Sequence, residues 1–165
     1  MRGYFLFAAG LLLGLTIHLA VQASPAQSLT PNRGVEAMNH VGIIVPNLDE
    51  AVEYYTKTLG FPEAFRNKDA QGNTTLVYVQ ISRNTFVELQ PAGGRPVGIS
   101  HFGVVVEDMK QATEMWKQRG AKVDEIRLSG TKAILSNVND PFGNRMELLE
   151  LPPESLHAQA VARWR

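Results

Sequence analysis

Two histidines and two glutamates recur in register along this chain. Asn39-His40-Val41-Gly42-Ile43-Ile44-Val45 is echoed 61 positions later by Ser100-His101-Phe102-Gly103-Val104-Val105-Val106. Phe86-Val87-Glu88-Leu89 is echoed 59 positions later by Arg145-Met146-Glu147-Leu148. A duplicated module carrying one histidine and one glutamate on strands can gather two of each around one metal ion. The chain has no cysteine, which excludes thiolate zinc sites, disulfides and cysteine nucleophiles. Candidate metal ligands are therefore His40, Glu88, His101 and Glu147. Such a set suits one divalent ion from among Zn, Ni, Co, Mn and Fe. Four protein ligands on an octahedral ion leave adjacent positions for water or a chelating substrate. A Lewis acid of that kind polarises a bound carbonyl and acidifies the neighbouring C–H. Either Glu88 or Glu147 could then carry the proton as general base.

Strand alternation supports the convergence. Val41, Ile43 and Val45 fall on one face of a strand, and His40, Gly42 and Ile44 on the other. If the first face packs on a helix, His40 faces away from it, beside a glycine that leaves space for a ligand or metal. His101 and Gly103 repeat that parity. Glu88 lies between Val87 and Leu89, and Glu147 between Met146 and Leu148, so both carboxylates point away from apolar neighbours. A charge held in a buried sheet costs several kcal/mol, on the order of that for other buried ions, unless it is paired. Phe86 shares a face with Glu88 and is expected to line the same cavity. Arg145 shares a face with Glu147 and could pair with it or with an anionic substrate. Tyr54, Tyr55, Phe65 and Trp116 are expected to serve packing, and His157, alone in the tail, to be incidental.

The elements that must position these residues repeat as well. A strand at about 37–45 leads to Asn47 as a helix cap, with Glu50 three residues on. Leu48, Ala51, Val52, Tyr55 and Leu59 form a helical stripe stopped by Gly60. Strands follow near 63–66, 75–81 and 85–90. A Pro- and Gly-rich hinge, Pro91 to Gly98, separates the modules. The second module has a strand at 99–106, the cap Asp108 with Gln111, and a stripe of Met109, Ala112, Thr113 and Trp116 ended by Gly120. Strands are expected near 122–127, 131–138 and 144–151. Each module reads β-α-β-β-β, and a single copy would leave one sheet face bare. The expected fold is α+β: paired βαβββ modules, 37–90 and 98–151, forming a curved, mostly antiparallel, cup-shaped sheet with helices outside. The tail, 152–165, could hold a short helix and receives no role.

Sixteen basic and sixteen acidic side chains in 165 residues give no charge footprint for nucleic acid. At the N-terminus, Arg2 precedes an apolar run from Tyr4 to Val21, followed by Val21-Gln22-Ala23. This reads as a signal peptide over 1–23, cleaved near Ala23, with a turn-rich linker over 24–36. The mature protein is then secreted or periplasmic and not membrane-bound. An uncleaved anchor is the competing reading of the same run, and His18 inside it is no candidate ligand.

From residue 37 to residue 151 the chain resembles the vicinal-oxygen-chelate superfamily. That superfamily includes glyoxalase I, methylmalonyl-CoA epimerase, extradiol dioxygenases, fosfomycin-resistance enzymes and bleomycin-binding proteins. The resemblance lies in His40-Val41-Gly42, Leu59-Gly60-Phe61, His101-Phe102-Gly103 and Asp140-Pro141-Phe142-Gly143-Asn144-Arg145-Met146-Glu147-Leu148. It implies the paired-module fold, a metal at His40, Glu88, His101 and Glu147 within one chain or across a homodimer, and a small-molecule substrate. A glutamate at position 88 resembles glyoxalase I best, since the epimerases usually have glutamine there and the dioxygenases resemble a triad of two histidines and one glutamate. Ile44 stands where glyoxalase I commonly has a glutathione-contacting arginine, and Glu88-Leu89-Gln90-Pro91-Ala92 lacks its usual asparagine. The implied activity is that of a metal-dependent lyase or isomerase shifting a proton on a small carbonyl or hydroxycarbonyl compound. The alternatives are a non-haem iron dioxygenase using His40, His101 and Glu147, and a non-catalytic binding or sequestering protein.

Overall fold

The computed structural model describes residues 34–165. The expected signal peptide, its cleavage point and most of the expected linker lie outside the described residues. Among the described residues, nine strands form one curled sheet. In chain order the elements are β1 (Val35–Val45), α1 (Leu48–Glu53), a π-helical turn (Tyr54–Thr58), β2 (Glu63–Lys68), β3 (Thr74–Ser82) and β4 (Thr85–Pro91). The second half holds β5 (Gly98–Val106), α2 (Met109–Gln118), β6 (Lys122–Val123), β7 (Arg127–Leu128), β8 (Ile134–Asn139), β9 (Arg145–Glu150) and α3 (Leu156–Arg163). Strand order is β2-β3-β4-β1-β5-β9-β8-β6, with β7 also on β8. Only β1–β4 and β5–β9 run parallel. The two modules meet at the antiparallel β1–β5 pair, so the chain forms a mostly antiparallel, unclosed cup. Among the described residues no helix is long and apolar enough to cross a membrane.

Both module helices start on side chains that satisfy free backbone N–H groups. The Asn47 oxygen accepts from the N–H groups of Asp49 and Glu50, and its amide donates to Glu50. Asp108 accepts from the Gln111 backbone and, through its other oxygen, from the Gln111 side chain. Gly60 and Gly120, at φ 76° and 86°, take the left-handed turn that ends each helical segment. The first helix differs from the periodic expectation. Thr56 donates its hydroxyl to the Val52 carbonyl at 2.7 Å, competing with the regular backbone bond. The chain then runs as a π turn in which Leu59 N–H reaches Tyr54 O, and Leu59 is left exposed.

Two apolar clusters bind the helices to the convex face. Val45, Val79, Val87 and Leu89 pack under Leu48, Ala51, Val52 and Tyr55. Val104, Val106 and Leu148 pack under Met109, Ala112 and Trp116. These are the partners that orient Glu88 and Glu147 to the opposite, concave face. The single strand expected at 122–127 is split. Between β6 and β7 the Asp124 carbonyl accepts from Ser136, and its carboxylate accepts from Asn137, which breaks regular pairing with β8.

The tail has a structural place. α3, capped by Ser155 on the Ala158 N–H, lies against the concave side of the first module. Ala160, Leu156 and Val161 pack with Phe65, Tyr78 and Phe86. The Leu156 N–H donates to Thr131 O of the second module at 2.9 Å.

Candidate metal centre

The register of β1 against β5 builds the site. His40 stands opposite Gly103, and Gly42 opposite His101. A Cβ on Gly42 would overlap the His101 ring, and a Cβ on Gly103 would overlap the His40 ring. Each glycine therefore makes room for the histidine of the other module, rather than for a metal or substrate directly. The parallel partners bring the carboxylates alongside, with Glu88 next to Gly42 and Glu147 next to Gly103.

His40, Glu88, His101 and Glu147, all from one chain, offer donor atoms that lie within 4.8 Å of one another. His40 Nε2 and His101 Nε2 are 3.0 Å apart. Glu88 Oε2 lies 3.5 Å from the first and 3.0 Å from the second. Glu147 Oε2 lies 3.4 and 3.8 Å from them. Donors about 2.1 Å from one ion are separated by about 3.0–3.5 Å along the edges of an octahedron or tetrahedron. The observed separations have that scale. All four residues are buried, and Glu88 Oε2 has no hydrogen-bond partner among the described residues. A buried carboxylate oxygen without a partner is costly. A cation among these donors would satisfy it, so the residues present fit a divalent ion.

Neighbouring groups hold the donors in place. The His40 ring donates from Nδ1 to Asn39 Oδ1 at 3.0 Å, which leaves Nε2 as the free acceptor. Ser100 Oγ occupies the equivalent place beside His101 Nδ1 at 2.8 Å, and donates to Gly42 O. Gln90 donates to Glu88 Oε1 at 2.6 Å, turning Oε2 toward the histidines. Burial pushes the Glu88 pKa up, but the close approach of His101, the charge of the two nearby imidazoles and the Gln90 hydrogen bond outweigh it and hold it at about 2. Tyr78, buried on the cavity wall, is pushed well above the usual phenol range by burial first and by the Glu88 and Glu147 charges next. Its hydroxyl therefore stays protonated.

Four further positions separate the sequence expectation from the structure. Arg145 does not pair with Glu147: its Nη2 sits 2.8 Å from His101 Nδ1. The guanidinium nearer Glu147 is Arg127, at 3.8 Å. His157 is not incidental but buried at 1% exposure, stacked on His40 at 6.3 Å and boxed by Phe65, Tyr78 and Phe86. Asn39 and Ser100 support the histidines without being predicted to, although the repeat carries their signal, since each immediately precedes its histidine. Gln90, Tyr78 and Arg127 carry no comparable signal.

A cavity of about 230 Å³ opens onto Glu88 and Glu147. A larger one, about 670 Å³, lies between the ends of β1 and β5 and α3 and includes none of the four donors. We assign the chemistry to the smaller cavity, because reacting groups must reach the donors.

Fold and site together define a class: a two-module cup whose axis carries a two-histidine, two-glutamate centre. The chain belongs to the glyoxalase/bleomycin resistance protein/dioxygenase superfamily, whose family model matches residues 37–148. Among curated relatives, a probable chloroplastic lactoylglutathione lyase of Arabidopsis thaliana is 29% identical over 130 residues, 70% of this chain but 36% of that protein. This chain thus spans about a third of that relative's length. An ethylmalonyl-CoA/methylmalonyl-CoA epimerase of Cereibacter sphaeroides is 30% identical over 97 residues, 52% of this chain and 72% of the relative. Among solved structures, methylmalonyl-CoA epimerase from Mycobacterium tuberculosis matches with a TM-score of 0.66 at 20% identity, over 78% of this chain and 97% of its own. That likeness establishes the fold.

Proposed function

We propose that this chain is a metal-dependent enzyme of the lyase or isomerase type, which shifts a proton on a substrate bearing two neighbouring oxygens. The observation that carries the reading is the convergence of two imidazole nitrogens and two carboxylate oxygens, from four strands, at the spacing of one ion's ligands. His40, Glu88, His101 and Glu147 would hold the ion. When bound it would supply a Lewis acid that polarises a carbonyl and acidifies the adjacent C–H. The relatives named as a lyase and an epimerase support chemistry of this kind.

The two glutamates differ in restraint. Glu88 is tied by Gln90 on one oxygen and faces both histidines with the other. Glu147 has a looser setting, with Oε1 3.8 Å from Arg127 and a side chain 10% exposed at the cavity. Glu147 is the better general base, since it can turn to a substrate carbon without breaking a short hydrogen bond. Tyr78, kept neutral, can donate to an oxygen that gains negative charge.

The test is metal analysis of the native protein together with turnover under nitrogen and under air. The reading expects a divalent ion, oxygen-independent proton exchange at a carbon next to a carbonyl, and loss of that exchange in Glu147→Gln at a metal concentration high enough to keep the variant loaded. Iron with oxygen-dependent cleavage of a catechol would overturn it in favour of a dioxygenase. The sequence at 1–23 supports a further proposal, that the enzyme is exported. N-terminal sequencing of the protein recovered from cells checks this, with a start at Ser24 expected.

A further inference from the structure

We infer that the substrate is a small, free organic acid, one that carries a carboxylate beyond the oxygens that chelate the metal, rather than a conjugate of a bulky carrier. This rests on the function proposed above and names the substrate class of that site. Three observations carry it. The first is charge. Arg95, Arg127 and Arg145 all line the cavity that opens on Glu88 and Glu147. A divalent ion and two glutamates cancel, which leaves three guanidinium groups facing the same space. Arg95 donates only to neutral oxygens, those of Gln90, Pro91 and Ala92. Arg127 reaches Glu147 no closer than 3.8 Å. Arg145 has a buried Nε with no partner among the described residues. Guanidinium groups present paired donors that match a carboxylate.

The second observation is the contact of Arg145 with His101. A neutral imidazole that gives its Nε2 lone pair to a metal must carry its proton on Nδ1. Arg145 can only donate, so it cannot keep its 2.8 Å contact with Nδ1 in that state. Ser100 Oγ, also at 2.8 Å, can accept the Nδ1 proton instead. With a metal on Nε2, the Arg145 guanidinium would be released from His101 toward the cavity it lines.

The third is space. Pockets for drug-sized ligands run from about 300 to 1,000 Å³, and this one has about 230 Å³. Thr131, which lines it, is held by the Leu156 N–H at the start of α3, and a second contact narrows it. Asn67 on β2 meets Gly130 in the β7–β8 turn so closely that a Cβ there would lie 2.7 Å from its amide nitrogen. The cavity itself holds a small acid, and a glutathione or coenzyme A arm would have to lie outside it.

The experiment titrates the metal-loaded protein with malate and with glycolate, followed by calorimetry. Both offer a hydroxyl and a carboxylate oxygen for chelation, and malate alone has the outer carboxylate. The expected result is malate binding at least about tenfold tighter, a preference that shrinks with added salt. Arg127→Gln, at a half-exposed side chain, should lower malate affinity to the glycolate level with metal content and glycolate affinity unchanged. Arg95→Gln should act in the same direction. Equal affinity for the two acids, or malate binding untouched in both variants, would overturn the inference, as would efficient turnover of a glutathione or coenzyme A conjugate. Failure of the protein to take up Zn, Ni, Co, Mn or Fe would instead sink the function proposed above. The same two titrations on the apoprotein would then still decide the role of the arginines.

Discussion

Gly103 has no side chain because the His40 ring occupies the place where one would begin, and Gly42 stands in the same relation to His101. Neither glycine is needed for a left-handed backbone; both are needed for close approach. Gly103→Ala should therefore displace the His40 ring and weaken metal binding more than about tenfold, with strand pairing retained, as read by competition with a chelating dye and by far-UV circular dichroism. Binding equal to wild type would show that the ring has other room. A second expectation concerns Asn39. It fixes the His40 tautomer through a 3.0 Å bond, and groups in that role typically contribute about 10–100-fold to metal affinity. Asn39→Ala should cost affinity in that range, and Ser100→Ala less, because a water can replace a hydroxyl at a partly exposed position. At this scale the sequence was legible where a residue type repeats in register, as with His40 and His101. Arg145 was not legible. Strand parity gives the face but not the partner, and a long guanidinium can reach past Glu147 to His101.

α3 raises a question at the scale of one element, because it buries a histidine with neither ring nitrogen hydrogen-bonded among the described residues. Burial pushes the His157 pKa down, and the neighbouring His40 adds to this, to about 3 against an ordinary 6.5. The folded-state value is the lower one, so the unfolded chain binds more protons between them. Stability from this residue is therefore complete above about pH 6.5 and falls as pH drops toward 3, by about 1.4 kcal/mol per unit. Glu88, held at about 2 against 4.5, adds its own loss only below about pH 4.5. The window from 6.5 to 4.5 thus separates the His157 contribution from that of Glu88. His157→Leu should be no less stable at pH 7, because it removes two unpaired buried nitrogens, and should flatten the decline of Tm between pH 6.5 and 5. An unchanged acid slope would refute this account. The tail's helical period could be read from sequence, but its docking could not. Nothing local distinguishes a histidine that inserts among Phe65, Tyr78 and Phe86 from one on a solvated turn. The split of the strand after α2 was hidden for the same reason, since Asp124 is drawn out of line by Ser136 and Asn137, distant in sequence.

The whole molecule places its centre on the seam between two modules. His40 and Glu88 come from one and His101 and Glu147 from the other, and the β1–β5 pair joins them within a single chain. A ligand set divided in this way would make a bound metal a cross-link between the halves, so that its binding free energy became folding free energy. A free metal concentration about a thousandfold above Kd would stabilise the fold by about 4 kcal/mol, a Tm rise on the order of 10 °C for a domain of this size. Chelation should remove that increment, and Glu88→Gln should reduce it by withdrawing one charged donor. The single-chain site makes a further demand. If both modules of one chain complete the centre, the metal-dependent rise in Tm must not vary with protein concentration. If instead the modules exchanged between two chains, ion binding would be linked to association and the rise would grow with concentration. Differential scanning calorimetry with and without metal, over an about hundredfold range of protein, separates the two arrangements. A constant increment is expected, because all four donors converge without a second chain.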